Sequence, residues 1–164
     1  MNRIRQDYKK FLVFIPLVLI LFVSGCVTAR VLNHDPMMAA AEAQKFADTA
    51  FVQQDPQQAY DMLSDGMKNG YSLKEFTGIL EKLHPTGYPT EVTATEYEPI
   101  LGQPAMSIFL EGQNENENFY YRLVMKGTSD VGYRVDGVYR GNGPYPESSL
   151  REPLTPSTSD NISK

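Results

Sequence analysis

The spacing of apolar residues changes twice along this chain. Residues 11–23 (FLVFIPLVLILFV) hold no polar side chain. From residue 36 to residue 83 apolar side chains recur every three to four positions, and from residue 90 to residue 140 every second position. The first spacing marks helices with one buried stripe. The second marks strands with one buried face, because side chains alternate across a strand.

Three helices are predicted in the first region. Asp35-Pro36 opens one, with Asp as cap and Pro at the first helical position. Behind it MMAAAEAQKFADTAFVQQ places Ala39, Ala43, Phe46, Ala50 and Phe51 at helical spacing. Asp55-Pro56 opens the second, QQAYDMLSDGMK, with Ala59, Tyr60, Leu63 and Met67 along one side. The residues after the two Asp-Pro pairs differ, so the pairs share capping physics and are no internal repeat. Ser72-Leu73-Lys74-Glu75 is a capping box, with Tyr71 and Phe76 at the staple positions. Phe76, Ile79, Leu80 and Leu83 form the buried stripe of this third helix. His84-Pro85 ends it, since the residue before Pro disfavours helix. His84 is expected to be a helix-end cation.

The second region predicts strands at residues 90–98, 105–111, 119–126 and 131–140. Met106, Ile108 and Leu110 share one face, as do Phe119, Tyr121, Leu123 and Met125. Tyr133, Val135 and Tyr139 alternate against Arg134, Asp136 and Arg140, which read as a solvated ladder. The connections 112–118 and 127–130 are short and rich in turn-formers, so the strands form antiparallel hairpins. The fold class is therefore α+β, with three N-terminal helices packed on one face of an antiparallel sheet of about four strands, over residues 35–140. The second sheet face is mixed: Tyr120 and Val124 share it with Arg122. It reads either as a solvent face or as an open surface for a protein partner or self-association.

The apolar run 11–23 follows Arg3, Arg5, Lys9 and Lys10 and ends in Val23-Ser24-Gly25-Cys26. A basic start, an apolar core and a small-residue stop form an export signal. The last four residues resemble the lipobox of bacterial lipoproteins. That resemblance implies a signal peptide over 1–25, cleavage before Cys26, a diacylglyceryl thioether on Cys26 and acylation such as palmitate on the new amine. Residues 26–34 become a lipidated tether. Val27 is not the Asp that retains such proteins at an inner membrane, which implies the outer membrane, facing the periplasm, in a cell with two membranes. The competing reading is an uncleaved membrane helix, for which Pro16, Ser24, Gly25 and Thr28 are poor material. Residues 141–164, rich in Pro, Ser, Thr and Gly, read as a disordered tail.

The order of helices and strands over residues 36–140 resembles the nuclear transport factor 2-like (SnoaL-like, cystatin-like) superfamily. The likeness is carried by DPQQAYDMLS (55–64), SLKEF (72–76) and GYRVDGV (132–138). It implies a curved sheet wrapped into a cone around the helices. Enzymes of that superfamily use Asp, His or Tyr pointing into the cone, so Tyr60, Tyr97, Tyr121, Tyr133, Asp61 and Asp136 are the materials here.

Charge narrows the partners. The net charge is −5 over 164 residues. The leader carries four bases and one acid, so the chain from Cys26 onward is near −8. That excludes a nucleic-acid footprint and disfavours a domain lying flat on anionic lipid. Cys26 is the single cysteine, so no internal disulfide forms. His34 and His84 lack partners at metal-ligand spacing. EGQNENEN (111–118) lacks the alternation of a calcium loop. No cofactor, metal or catalytic residue is expected. The reading is a lipid-anchored cell-envelope protein with a binding or structural role; the alternative is a pocket enzyme or a carrier of a small apolar ligand.

Overall fold

The computed structural model describes residues 34–154. They lie in the second of two compact units of the chain, Leu32–Lys164. The expected signal peptide, Cys26, the tether up to residue 33 and tail residues 155–164 lie outside the described residues.

Helix α1 (Pro36–Ala47) opens on Asp35, whose carboxylate accepts the Met38 N–H at 3.0 Å. It runs directly into a π-helical turn, Asp48–Val52. Helix α2 (Pro56–Asp61) is capped by Asp55, which accepts from the Gln58 N–H. Helix α3 (Asp65–Gly70) is capped by Ser64, and α4 (Leu73–Leu83) by Ser72 within the predicted capping box. The strands are β1 (Glu91–Pro99), β2 (Ala105–Gln113), β3 (Asn118–Thr128), β4 (Gly132–Gly141) and β5 (Glu152–Pro153). They form one open antiparallel sheet in the order β4-β3-β2-β1-β5.

The class is α+β as expected, with four α-helices among the described residues in place of three. The predicted second helix is interrupted at Leu63, which bridges to Val135 on β4. The Ser64 N–H donates to the Val135 carbonyl at 2.8 Å, and the Val135 N–H donates to the Met62 carbonyl at 3.2 Å. Backbone bonds to a sheet edge replace helical ones there, and Ser64 then caps a fresh helix.

The sheet has five strands because part of the expected disordered tail, within residues 141–154, is ordered. Gly141 closes β4, and Glu152–Pro153 pairs with β1. The tail composition is poor in apolar groups, but the few it has are used: Leu154 packs against the core. The Arg151 guanidinium lies 3.8 Å from the Phe109 ring centre. It also lies 3.5 Å from Glu96 and 3.9 Å from Glu98. Tyr145 meets Phe109 edge-on at 5.4 Å. Cation–aromatic contact, ion pairing and backbone pairing hold this segment.

Helix α1 crosses the opposite face of the sheet. At its start the Asp35 N–H donates to the Tyr133 hydroxyl at 2.8 Å. Further along, Gln44 donates to the Val92 carbonyl at 2.7 Å and accepts from the Ala94 N–H at 2.8 Å. Ala39, Ala43 and Ala47 are fully buried, and their small side chains let the helix approach the sheet closely. An aromatic stack fills the space between the layers. Phe46 meets Phe51 edge-on at 5.9 Å, Phe51 stacks on Tyr121 at 4.4 Å, and Tyr121 lies parallel to Phe119 at 6.1 Å.

Two β-bulges change which side chains share a face. In β4 the register shifts so that Val124 faces Gly137 and Met125 faces Val135, leaving Asp136 as the extra residue. One extra residue exchanges the faces of all that follow. Tyr133 and Val135 point towards the helices, and so do Val138 and Arg140, the cross-strand neighbours of Leu123 and Tyr121. Arg134, Asp136 and Arg140 therefore form no single ladder, and Tyr139 turns outward. In β1 the shift between Ala94 and Glu96 leaves Thr95 as the extra residue.

Candidate functional site

Two places gather side chains with chemistry: the C-terminal end of α4, and the outer sheet face under residues 144–154.

At the first, Pro85 forces the chain out of α4 and the His84 ring folds back into the core. Only 5% of His84 is exposed. Its Nδ1 lies 2.8 Å from the Leu80 carbonyl, and its Nε2 lies 2.8 Å from the Tyr121 hydroxyl. A carbonyl only accepts, so Nδ1 carries the hydrogen; in the neutral ring Nε2 then accepts from Tyr121. Tyr88 stacks on the ring at 4.2 Å and 18°. Burial holds the His84 pKa below its ordinary value, partly offset by the bond to Leu80, with Arg140 lowering it further. Burial likewise raises the Tyr121 phenol. The expected helix-end cation is thus a buried neutral ring. Arg140 is the cation at this corner: it donates to the Leu83 carbonyl at 2.6 Å, pairs with Glu117 at 2.9 Å and lies over Phe119 at 4.4 Å. Both ring nitrogens of His84 are engaged, so a base there would first have to break the bond to Tyr121.

At the second, Tyr120 and Val124 do lie on the outer face, both half-buried. The face is not open as expected. Residues 144–154 lie over its centre, drawn there by Phe109. Arg122 separates Tyr120 from Val124 along β3, and its guanidinium lies 4.7 Å from the Tyr139 ring and 5.8 Å from the Tyr145 ring. Burial raises the Tyr145 phenol. Beside this cover a depression of about 290 Å³ is lined by Glu91, Thr93, Glu111, Gln113 and Tyr120, among others. Gln113 donates to the Glu91 carboxylate. Two carboxylates, hydroxyls and an amide suit a polar or cationic group rather than an apolar ligand.

The other sequence candidates are dispersed. The Tyr60 hydroxyl donates to the Tyr71 carbonyl at 2.7 Å on the α2–α4 side. Tyr97 donates to Glu152 on β5, a bond that raises its pKa. Tyr133 receives the Asp35 N–H, and Asp136 receives the Ser64 hydroxyl. Asp61 is exposed, and its carbonyl accepts from the Lys68 ammonium at 2.9 Å. His34 is half-buried at the start of the described residues. Only His84 and Tyr121 are brought together. Among the described residues no group of three or more His, Cys, Asp or Glu side chains is placed to hold a metal ion, and no helix is long and apolar enough to cross a membrane.

Phe109, Arg151, Tyr145 and the Arg140–Glu117 pair escaped the sequence reading. One signal was present: AMSIFL (105–110) is apolar in both phases of the alternation, as in a strand covered on both faces. The chain matches no protein-family model, no curated protein and no solved structure.

Proposed function

We propose that this is a lipid-anchored cell-envelope protein whose folded domain has a binding or structural role. The observation that carries it is Val23-Ser24-Gly25-Cys26, placed directly after a basic start and an uncharged apolar run. Cys26 takes the lipid, and a diacylglyceryl thioether with an acylated amine holds far more firmly than a single chain, at roughly 0.8 kcal/mol per buried methylene. In a cell with two membranes the domain faces the periplasm from the outer membrane. The cone-like arrangement of the nuclear transport factor 2-like superfamily belongs to the same reading, supported by helices first, then an antiparallel sheet.

A binding role is favoured over pocket chemistry because aromatic side chains fill the space between helices and sheet. The uncovered part of the outer face near Tyr120 is where a protein partner would meet it. Mass spectrometry of membrane-extracted protein tests the anchor: the expected mature chain begins at Cys26 and carries the lipid mass. A mature Met1 terminus with a free thiol would end the reading. Cys26→Ser is expected to leave the chain uncut or to release it from the membrane fraction. In vivo crosslinking tests the partner: crosslinks lost with Tyr120→Asp or Val124→Asp support the face, and crosslinks indifferent to both changes remove it.

A further inference from the structure

Helix α1's first turn, the β1–β2 connection and the β3–β4 connection gather at one end of the domain. The Asp35 N–H bonds the hydroxyl of Tyr133 at the start of β4. The Gly127 N–H donates to the Pro104 carbonyl at 2.7 Å, joining the two hairpin ends. Val131 is 81% exposed, Leu101 75%, Met37 49% and Met38 38%. Among the described residues these are four of the seven large apolar side chains that stand exposed. Such residues scattered singly mean little, but four at one end form an apolar rim.

We propose that this end rests against the bilayer that holds the Cys26 lipid, with Leu101 and Val131 entering the headgroup layer. The proposal rests on the lipid-anchor reading and adds an orientation to it. Tether length is the first argument. Residues 26–34 reach at most about 30 Å when fully extended. A domain of about 120 residues is roughly 35 Å across. The tether joins the domain at Asp35, beside Tyr133, so the apolar end is the one a short tether holds within easiest reach of the membrane.

Charge is the second argument. Lys126 and Arg134 are direct cross-strand partners at this end. With Lys68 and Val131 they line a groove of about 600 Å³. Asp65 shares that groove, and Asp130 is exposed next to Val131. The end is therefore mixed in sign: the apolar tips make the contact and the two strand cations meet lipid phosphates. The opposite hairpin end, residues 114–117, carries Glu115 and Glu117, and the Arg140 guanidinium there is already paired with Glu117. In an acidic chain, the groove's Lys68, Lys126 and Arg134 against Asp65 give this end a local surplus of cations with which to approach anionic lipid.

The experiment uses the full lipidated chain in vesicles of phosphatidylethanolamine and phosphatidylglycerol. In it the Cys26 sulfur is a thioether, so a thiol-reactive, environment-sensitive fluorophore goes only to an introduced cysteine. Leu101→Cys, Val131→Cys and Glu115→Cys are labelled separately, and quenching by lipids spin-labelled near the headgroup is measured. Leu101→Cys and Val131→Cys are expected to show blue-shifted emission and roughly twofold or greater quenching, since interfacial apolar groups sit about 5–10 Å into the boundary. Glu115→Cys is expected to remain water-like. Equal, water-like emission at all three sites in a protein whose mass includes the lipid overturns the docking and leaves the anchor standing. A blue shift without lipid quenching means that a second copy or another protein covers the tips, and also overturns it. Label appearing on Cys26 itself overturns the anchor and the docking together.

Discussion

His84 shows how one residue can be placed correctly along the chain and still be misjudged in its charge. The His84-Pro85 pair does end α4, and a histidine at a helix C-terminus is favourably placed as a cation. Burial reverses that preference, because a desolvated imidazolium is costly, and the Leu80 carbonyl with the Tyr121 hydroxyl satisfies the neutral ring instead. Burial is a tertiary fact that no local spacing reveals. A linkage prediction follows. With its folded pKa held below the ordinary 6.5, the unfolded chain binds more protons between the two values, so stability rises with pH across that window. The contribution is complete above 6.5 and is lost as pH falls through 6.5 towards the lower folded pKa. Urea titrations of wild type and His84→Gln between pH 5 and pH 8 check this: the wild type is expected to lose more stability on acidification than the variant. Tyr121→Phe is expected to destabilise the fold by about 1–3 kcal/mol at neutral pH by stripping Nε2 of its donor.

At the scale of elements, period and caps were legible, while the face assignment in β4 failed beyond its bulge. Asp35, Asp55 and the Ser72–Glu75 box start helices where the sequence places them, because a cap is a contact within four residues. The break at Leu63 and the bulge at Asp136 depend on each other across 72 positions, through the Ser64 hydroxyl bonded to the Asp136 carboxylate. Neither can be read from its own neighbours. Ser64→Ala removes both the α3 cap and the donor to Asp136, and is expected to cost about 1–2 kcal/mol in denaturant unfolding. Two turn glycines separate backbone conformation from crowding. Gly102 has φ 74° and open space where a Cβ would stand, so Gly102→Ala is expected to cost about 1 kcal/mol. Gly127 has φ 144°, and a Cβ there would collide with the Gly132 carbonyl. Gly127→Ala is expected to cost clearly more, upwards of about 2–3 kcal/mol, and to lower the urea midpoint accordingly.

Over the whole molecule, the sheet solves the problem of its two edges with segments that the sequence presents as connection and tail. The β4 edge is met by the backbone of Met62 and Ser64, and the β1 edge by β5. Unpaired edges recruit other chains, so covering them keeps the sheet from pairing with a second copy. The second cover has a further task. Phe109 points away from the helices, and Arg151, with 9% of its side chain exposed, closes over it while pairing with Glu96 and Glu98. Deleting residues 142–164 should therefore strip the β1 edge and bare the outer aromatic face in one step. The expected loss is about 2–4 kcal/mol relative to a chain that ends at Leu154, combining a large buried ring with a cation–aromatic contact. Arg151→Ala alone should account for part of it. Arg151→Lys should rescue little, because an ammonium lacks the flat guanidinium that lies against the ring. Thermal unfolding of the four chains, with hydrogen exchange along β1 near Tyr97, gives the comparison. Unchanged exchange and an unchanged midpoint in the deletion would show that the strap adds nothing to the fold. Faster exchange confined to β1, together with concentration-dependent association, is the expected signature of an edge and an aromatic face uncovered together.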